Sequence, residues 1–279
     1  MNEILSNTIF VTAFMSEVNK INYRSIHNYI EYGKKMLRLN ITQITFIEKH
    51  IFHSFFKEYD NEVKYYFEYN INNKLHVFEY IIFKNKVFVF FEKKDNYLYA
   101  YNDVIKDFHI DTVNPLKDTL EYMFTQCHKT EWVKMAIFLM NQTKKYIPNS
   151  GEFIWIDYGI YHMIKNEREF NTKIENIGAR EISKLHKNIR IASCWDINYK
   201  HNQNIYKTIC WYFAGSVFGG PEQKMIEFAD KNLKKCIEII LNNKLLMWEI
   251  NVWYLVCIES STIFDFYKCG HDDSIIMNY

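Results

Sequence analysis

Glycine and proline are scarce in this chain, 8 and 3 in 279 residues. That excludes collagen-like and Pro/Gly-rich low-complexity architectures and leaves no stretch with the composition of a flexible linker. None of the six cysteines forms a CxxC pair, so the usual zinc-ribbon and thioredoxin spacings are missing. Scattered through apolar segments, the cysteines read as reduced, buried thiols. Charge of one sign is not in excess either: 34 Lys and Arg face 33 Asp and Glu, a net charge of +1. The basic footprint of a phosphate-backbone binder is missing, and no nucleic acid partner is expected. No window holds the roughly 18 continuous apolar residues of a membrane span, so no transmembrane segment is expected. The opening MNEILSNTIFVTAFM carries Glu3 where an export signal would be basic, and it reads as a first strand. A soluble, cytoplasmic protein is the expectation.

What is present is an ordinary globular composition, 48% hydrophobic and 24% charged, with 18% aromatic residues. A chain of this length buries roughly 70–75% of its unfolded surface. It needs neither disulfide nor metal to hold a core. Residues 7–14 form a short apolar and β-branched run, the pattern of a buried strand. Over residues 23–37 the apolar positions Ile26, Tyr29, Ile30, Gly33 and Leu37 recur at helical spacing. A second strand at 43–47 completes a β, α, β opening suited to a parallel crossover. Residues 62–101 change character to dense aromatic and β-branched blocks, KLHVFEYIIF and KVFVFFEKK, and predict an inserted antiparallel piece. Helices are predicted at 116–124 and 129–140, the second closed by Pro148, Asn149, Ser150 and Gly151. Strands follow at 153–157 and 189–194, helices at 222–241 and 249–257, and an aromatic strand at 262–267. No repeat divides the chain, so one α/β domain over residues 1–279, with a central mixed sheet flanked by helices, is expected.

Four groups of residues invite chemistry. Asp157 ends an apolar strand, and the C-terminal mouth of an α/β sheet is where ligands bind; followed by small Gly159, it could hold Mg²⁺ or Mn²⁺ against a diphosphate, or merely cap its turn. The segment FAGSVFGG places Ala214, Gly215, Ser216, Gly219 and Gly220 where a sugar could lie against the backbone, with Gly219 and Gly220 free to take φ > 0 before a helix at Glu222; a strand, tight turn and helix N-terminus would select the same residues. Trp248 and Glu249, with Asn251, combine a stacking surface with a carboxylate suited to hold a hydroxyl or act as base, or simply begin a helix. Finally His271, Asp272 and Asp273 either complete a cation site with Asp157 or form a solvated tail. Lys129 and Lys134 suggest a phosphate contact, although a helix lysine commonly belongs to a solvated face.

In order along the chain, the VTAF strand at 11–14, Arg24, the helix at 129–136, WIDYGI at 155–160, AGSVFGG and the terminal HDDSI resemble the HtrL/YibB family and its viral relatives, proteins associated with surface-glycan synthesis and similar to GT-A glycosyltransferases. The resemblance implies a single GT-A-like, Rossmann-like domain that moves a sugar from a UDP- or GDP-sugar to a glycan or sugar acceptor, in the host cytoplasm for a viral member. It implies donor contacts at Thr12, Ala13, Phe14, Arg24, Lys129, Trp155, Asp157 and Gly159, and a metal, Mn²⁺ or Mg²⁺, on Asp157 and His271. FAGSVFGG followed by WEIN is also similar to the acceptor-side segments of the retaining blood-group A and B transferases, which assigns Glu249 as nucleophile or stabilising carboxylate beside Asp157. Gly159 stands where the usual Asp-x-Asp motif has its second carboxylate. A catalytically inactive glycan-binding scaffold, and a phosphoesterase using Asp157, His271, Asp272 and Asp273, are the alternatives.

Overall fold

Six of the seven residues of the first strand, β1 (Thr8–Phe14), are buried and Ala13 is partly so, the run expected of a strand covered on both faces. In the computed structural model, which describes residues 7–16, 25–61, 63–71, 74–143, 151–198 and 204–279, β1 is followed by α1 (Ile26–Arg38), β2 (Thr42–Ile47), α2 (Lys49–Phe55), β3 (Tyr65–Ile71), β4 (Lys74–Phe83) and β5 (Lys86–Phe90). Then come α3 (Leu120–Cys127), α4 (Lys129–Gln142), β6 (Glu152–Ile156), α5 (Glu167–Gly178), β7 (Ile189–Ser193) and β8 (Phe213–Pro221). The chain ends with α6 (Glu222–Asn243), α7 (Glu249–Glu259), β9 (Phe264–Lys268) and α8 (Ser274–Met277). The described strands form one nine-stranded sheet in the order β3-β4-β5-β2-β1-β6-β8-β7-β9.

The sheet is mixed. β1 pairs in parallel with β2 and β6, β2 with β5, and β7 with β9, whereas β8 runs antiparallel to both β6 and β7. Side chains alternate between faces, so Ile9 and Val11 join the core under α3, α4, α6 and α7, while Phe10 and Phe14 join clusters with residues of α1, α2 and α5. The result is a three-layer α/β/α arrangement compatible with a Rossmann-like fold. Among the described residues no helix is long and apolar enough to cross a membrane.

Several expectations need correction. The aromatic segment is not a separate insert. β4 is antiparallel to both β3 and β5, but β5 pairs in parallel with β2 and so extends the central sheet; alternation within a strand cannot say which neighbour it will find. Helix α1 starts at Ile26, with Ser25 Oγ accepting from Asn28 N–H. Ile26, placed on the buried stripe, is 40% exposed. Arg24, Glu62, Pro148, Asn149 and Ser150 lie outside the described residues. Gly219 and Gly220 are not a turn. Both lie within β8, no described glycine has φ > 0, and a Cβ on Gly219 would come within 2.6 Å of Phe153 O in the neighbouring strand. These glycines permit close strand approach.

Lys86, the first residue of β5, is 4% exposed. Its ammonium donates to Leu39 O at 2.9 Å and Ile41 O at 2.7 Å, carbonyls just past the end of α1. Burial brings its pKa down to about 7, against the opposing pull of Glu175. The same amine titrates near 10.4 in an unfolded chain. Between these values the unfolded state binds the additional proton, so stability rises with pH over that window. Urea unfolding from pH 7 to 9.5 should show wild type gaining up to about 1.4 kcal/mol per pH unit relative to Lys86→Met; parallel profiles would show that the buried amine does not titrate there.

Candidate functional site

From β1 the chain moves to β2 on one side, and β6 later fills the place on the other. The carboxyl ends of β1 and β6 therefore flank a topological switch point, the position at which open α/β sheets bind ligands. A cavity of about 540 Å³ opens there, lined at its base by Ala13 and Phe14 of β1, Asp157 and Gly159 after β6, and Ala214, Gly215 and Ser216 of β8. Its volume lies within the range of small-molecule sites. β8 contributes an irregularity: Ile191 pairs with Phe218 and the next residue, Ala192, with Ala214. Residues 215–217 thus bulge away from β7, a device common at the rims of sites.

A buried lysine joins the two carboxylates at the cavity floor. Lys129, the first residue of α4, has a side chain only 3% exposed. Its Nζ lies 3.0 Å from Asp157 Oδ1 and 3.0 Å from Glu249 Oε1, and donates to Gly215 O at 3.2 Å. An ammonium has three N–H donors, and these partners engage all of them. Burial pulls the Lys129 pKa down, but Asp157 and Glu249 outweigh it and the net shift is upward. The lysine holds its proton firmly. Asp157, 31% exposed, also accepts from Trp155 Nε1 at 2.8 Å; residues two apart on a strand share a face, and here both face α4.

Glu249 is 8% exposed and begins α7. Gly215 makes room for it, because a Cβ at 215 would sit 2.3 Å from Glu249 Oε1. Trp248 lines the cavity and donates through Nε1 to Asp118 Oδ1 at 3.3 Å. Asn251 serves the framework: it accepts from Cys210 N–H and donates to Ile205 O and Thr208 O, which fixes the loop before β8.

The residues do not fit a divalent cation. Asp157 Oδ1 already receives the lysine and the indole, and Gly159 has Tyr29 against it, a Cβ falling 2.5 Å from the ring, so a second carboxylate has no room. His271 lines the cavity but is exposed, with its ring 4.3 Å from that of Trp211. Among the described residues no group of three His, Cys, Asp or Glu side chains could hold a metal ion. Asp272 turns instead to Ser274, accepting from its N–H at 3.0 Å and its hydroxyl at 2.5 Å, which leaves the four-residue phosphoesterase set unassembled.

Of the other expected donor contacts, Ala13, Phe14, Trp155 and Gly159 line the cavity, whereas Thr12 points away and is 1% exposed. Gly219 and Gly220 are not in the lining. Lys134, grouped with Lys129 as a phosphate candidate, pairs with Asp230 at 2.6 Å. Sequence reasoning missed Tyr29, Asp118, Tyr122 and Trp211, all in the lining. Burial, then Glu249, Asp157 and Asp118, push the Tyr122 phenol well above its usual pKa. Comparison with known families finds no family model that matches this chain, and no curated protein matches it.

Removing Lys129 leaves two anions facing each other, and unpairing a buried charge typically costs 3–5 kcal/mol. Lys129→Met should lose about 3 kcal/mol in urea unfolding, with most of it recovered when Asp157→Asn and Glu249→Gln are added; a single variant as stable as wild type would show that the lysine is not the countercharge. Gly215→Ala should displace the Glu249 carboxylate and destabilise by about 1–3 kcal/mol, a loss that Glu249→Ala in the same chain should relieve.

Proposed function

We propose that this protein is a glycosyltransferase of GT-A-like architecture that moves a sugar from a UDP- or GDP-sugar to a glycan or sugar acceptor. The observation that carries the reading is the pairing of Asp157 and Glu249 with one buried lysine on the floor of a switch-point cavity. Both carboxylates are ion-paired, the lysine keeps its proton, and the phenol of Tyr122 keeps its own. The floor therefore supplies negative charge but no ready proton donor. That suits a leaving group that departs as a stable anion, as a nucleoside diphosphate does, and not a sugar alkoxide, which needs a general acid. Glu249 stabilises positive charge developing at the anomeric carbon, or bonds to it in a retaining course, and Asp157 orients the lysine and adds to the field. Tyr29, Trp155, Trp211 and Trp248 offer aromatic surface for the base and sugar. No step passes through a metal ion.

A second reading has one observation in its favour. The lining holds Asp111, Asp118, Asp157 and Glu249 against Lys117 and Lys129, an acidic excess that admits a neutral glycan more readily than a diphosphate. On that reading the protein binds glycans without transferring them.

Turnover of a panel of UDP- and GDP-sugars separates the two. Transfer should proceed in the presence of a chelator and fall about 100-fold or more in kcat for Glu249→Gln, with KM changed only a few-fold. Equal turnover by wild type and variant would overturn the catalytic assignment. Calorimetric binding of free oligosaccharides, with none of any nucleotide-sugar, would establish the second reading.

A further inference from the structure

Close to the cavity-lining His271, two cysteines meet across neighbouring strands. β7 and β9 are parallel, with Ala192 opposite Tyr267 and Ser193 opposite Lys268. The next residues in register are Cys194 and Cys269, and the ladder continues to them through Cys269 N–H donating to Ser193 O at 3.2 Å. Their sulfurs are 3.5 Å apart, and both residues are half-buried. Adjacent strands lie about 4.8 Å apart, within the roughly 4.4–6.8 Å Cα separation that a disulfide spans. Rotation about the side-chain torsions is enough to bring the sulfurs to bonding distance. Two residues on, His271 lines the cavity against Trp211.

We propose that Cys194 and Cys269 are a peroxide-reactive thiol pair that closes to a disulfide and so ties the His271 rim to the end of β7. In the first step the Cys194 thiolate attacks one oxygen of a hydroperoxide. The O–O bond breaks, the second oxygen leaves as alcohol or water after taking up a proton, and Cys194 becomes a sulfenic acid. In the second step the Cys269 sulfur attacks the Cys194 sulfur. The S–O bond breaks, and the hydroxyl departs as water with the Cys269 proton. Two thiols are oxidised by one peroxide, which is reduced. Cys194 is the attacking sulfur because the Cys269 thiol, and after it His271, stabilise its anion and lower its pKa to about 5, while Cys269 is shifted upward. The remaining cysteines, Cys127, Cys210, Cys236 and Cys257, are buried and act as internal controls.

The test is treatment of the full chain with hydrogen peroxide, followed by thiol counting under denaturing conditions and peptide mapping. Two of the six thiols should disappear, the map should contain a Cys194 to Cys269 cross-link, and dithiothreitol should restore both. In Cys269→Ser, dimedone should trap a sulfenic acid on Cys194. Retention of all six thiols, or oxidation that leaves the two residues unlinked in wild type, would overturn the proposal. Since neither readout involves sugar turnover, failure here is distinguishable from failure of the glycosyltransferase assignment.

Discussion

The ammonium of Lys129 is the constraint around which the site is built. A charge 3% exposed cannot be left unpaired, and its three donors fix the relative positions of three elements. Asp157 brings the end of β6, Glu249 the start of α7, and Gly215 O the bulge of β8. Each partner has its own support: Trp155 holds Asp157, and the absent side chain at 215 leaves space for Glu249. The supports are local, whereas the lysine connects positions 28 to 120 residues away from it in the chain.

Sheet order explains why these elements meet. Because β8 is antiparallel to β6, its amino end lies beside the carboxyl end of β6, and Asp157 N–H donates to Ser216 O at 2.9 Å. The pairing with β7 breaks at residues 215–217 on the opposite side. β8 thus keeps one neighbour and releases the other just where the cavity opens, so backbone otherwise committed to the ladder faces the site. The helices on this face complete the lining: α3 contributes Tyr122, α4 Lys129, and α7 Glu249.

Much of the framework was legible in the sequence. β1, β2, β6 and β7 were expected within one or two residues, as were α4, α6 and α7, because uninterrupted apolar runs and 3.6-residue periods follow from burial alone. Pairing was not legible. The period-2 signal of β5 is the same whether it borders an insert or the central sheet, and Gly219 and Gly220 look alike in a strand and in a turn. Asp157 and Glu249 were identifiable from their positions at element ends. Lys129 was expected as a donor phosphate contact or a solvated helix lysine and not as the partner of both carboxylates, yet 10 of the 14 residues of α4 are buried. A charged residue in a helix of that kind must be paired inside. That signal was available. Tyr122 and Trp211 had none, since aromatic residues are frequent throughout this chain and only the fold selects which of them face the cavity.

On the glycosyltransferase reading proposed above, the acidic excess of the lining would bear on transfer in two opposite ways. Lys129 cancels one of the two floor carboxylates, so the reacting end of a donor meets about one net negative charge. Two unit charges 4 Å apart interact by about 4 kcal/mol at an effective dielectric of 20, and a diphosphate entering beside Asp118 is opposed on that scale. Its binding must then rest on the base and sugar against the aromatic walls. Positive charge growing at the anomeric carbon is favoured by the same field, and the nucleoside diphosphate left behind is repelled by it. Under that proposal the field favours transfer only where the cationic carbon lies closer to the floor carboxylates than the diphosphate does, and this difference in distance is what would supply the differential binding that catalysis requires.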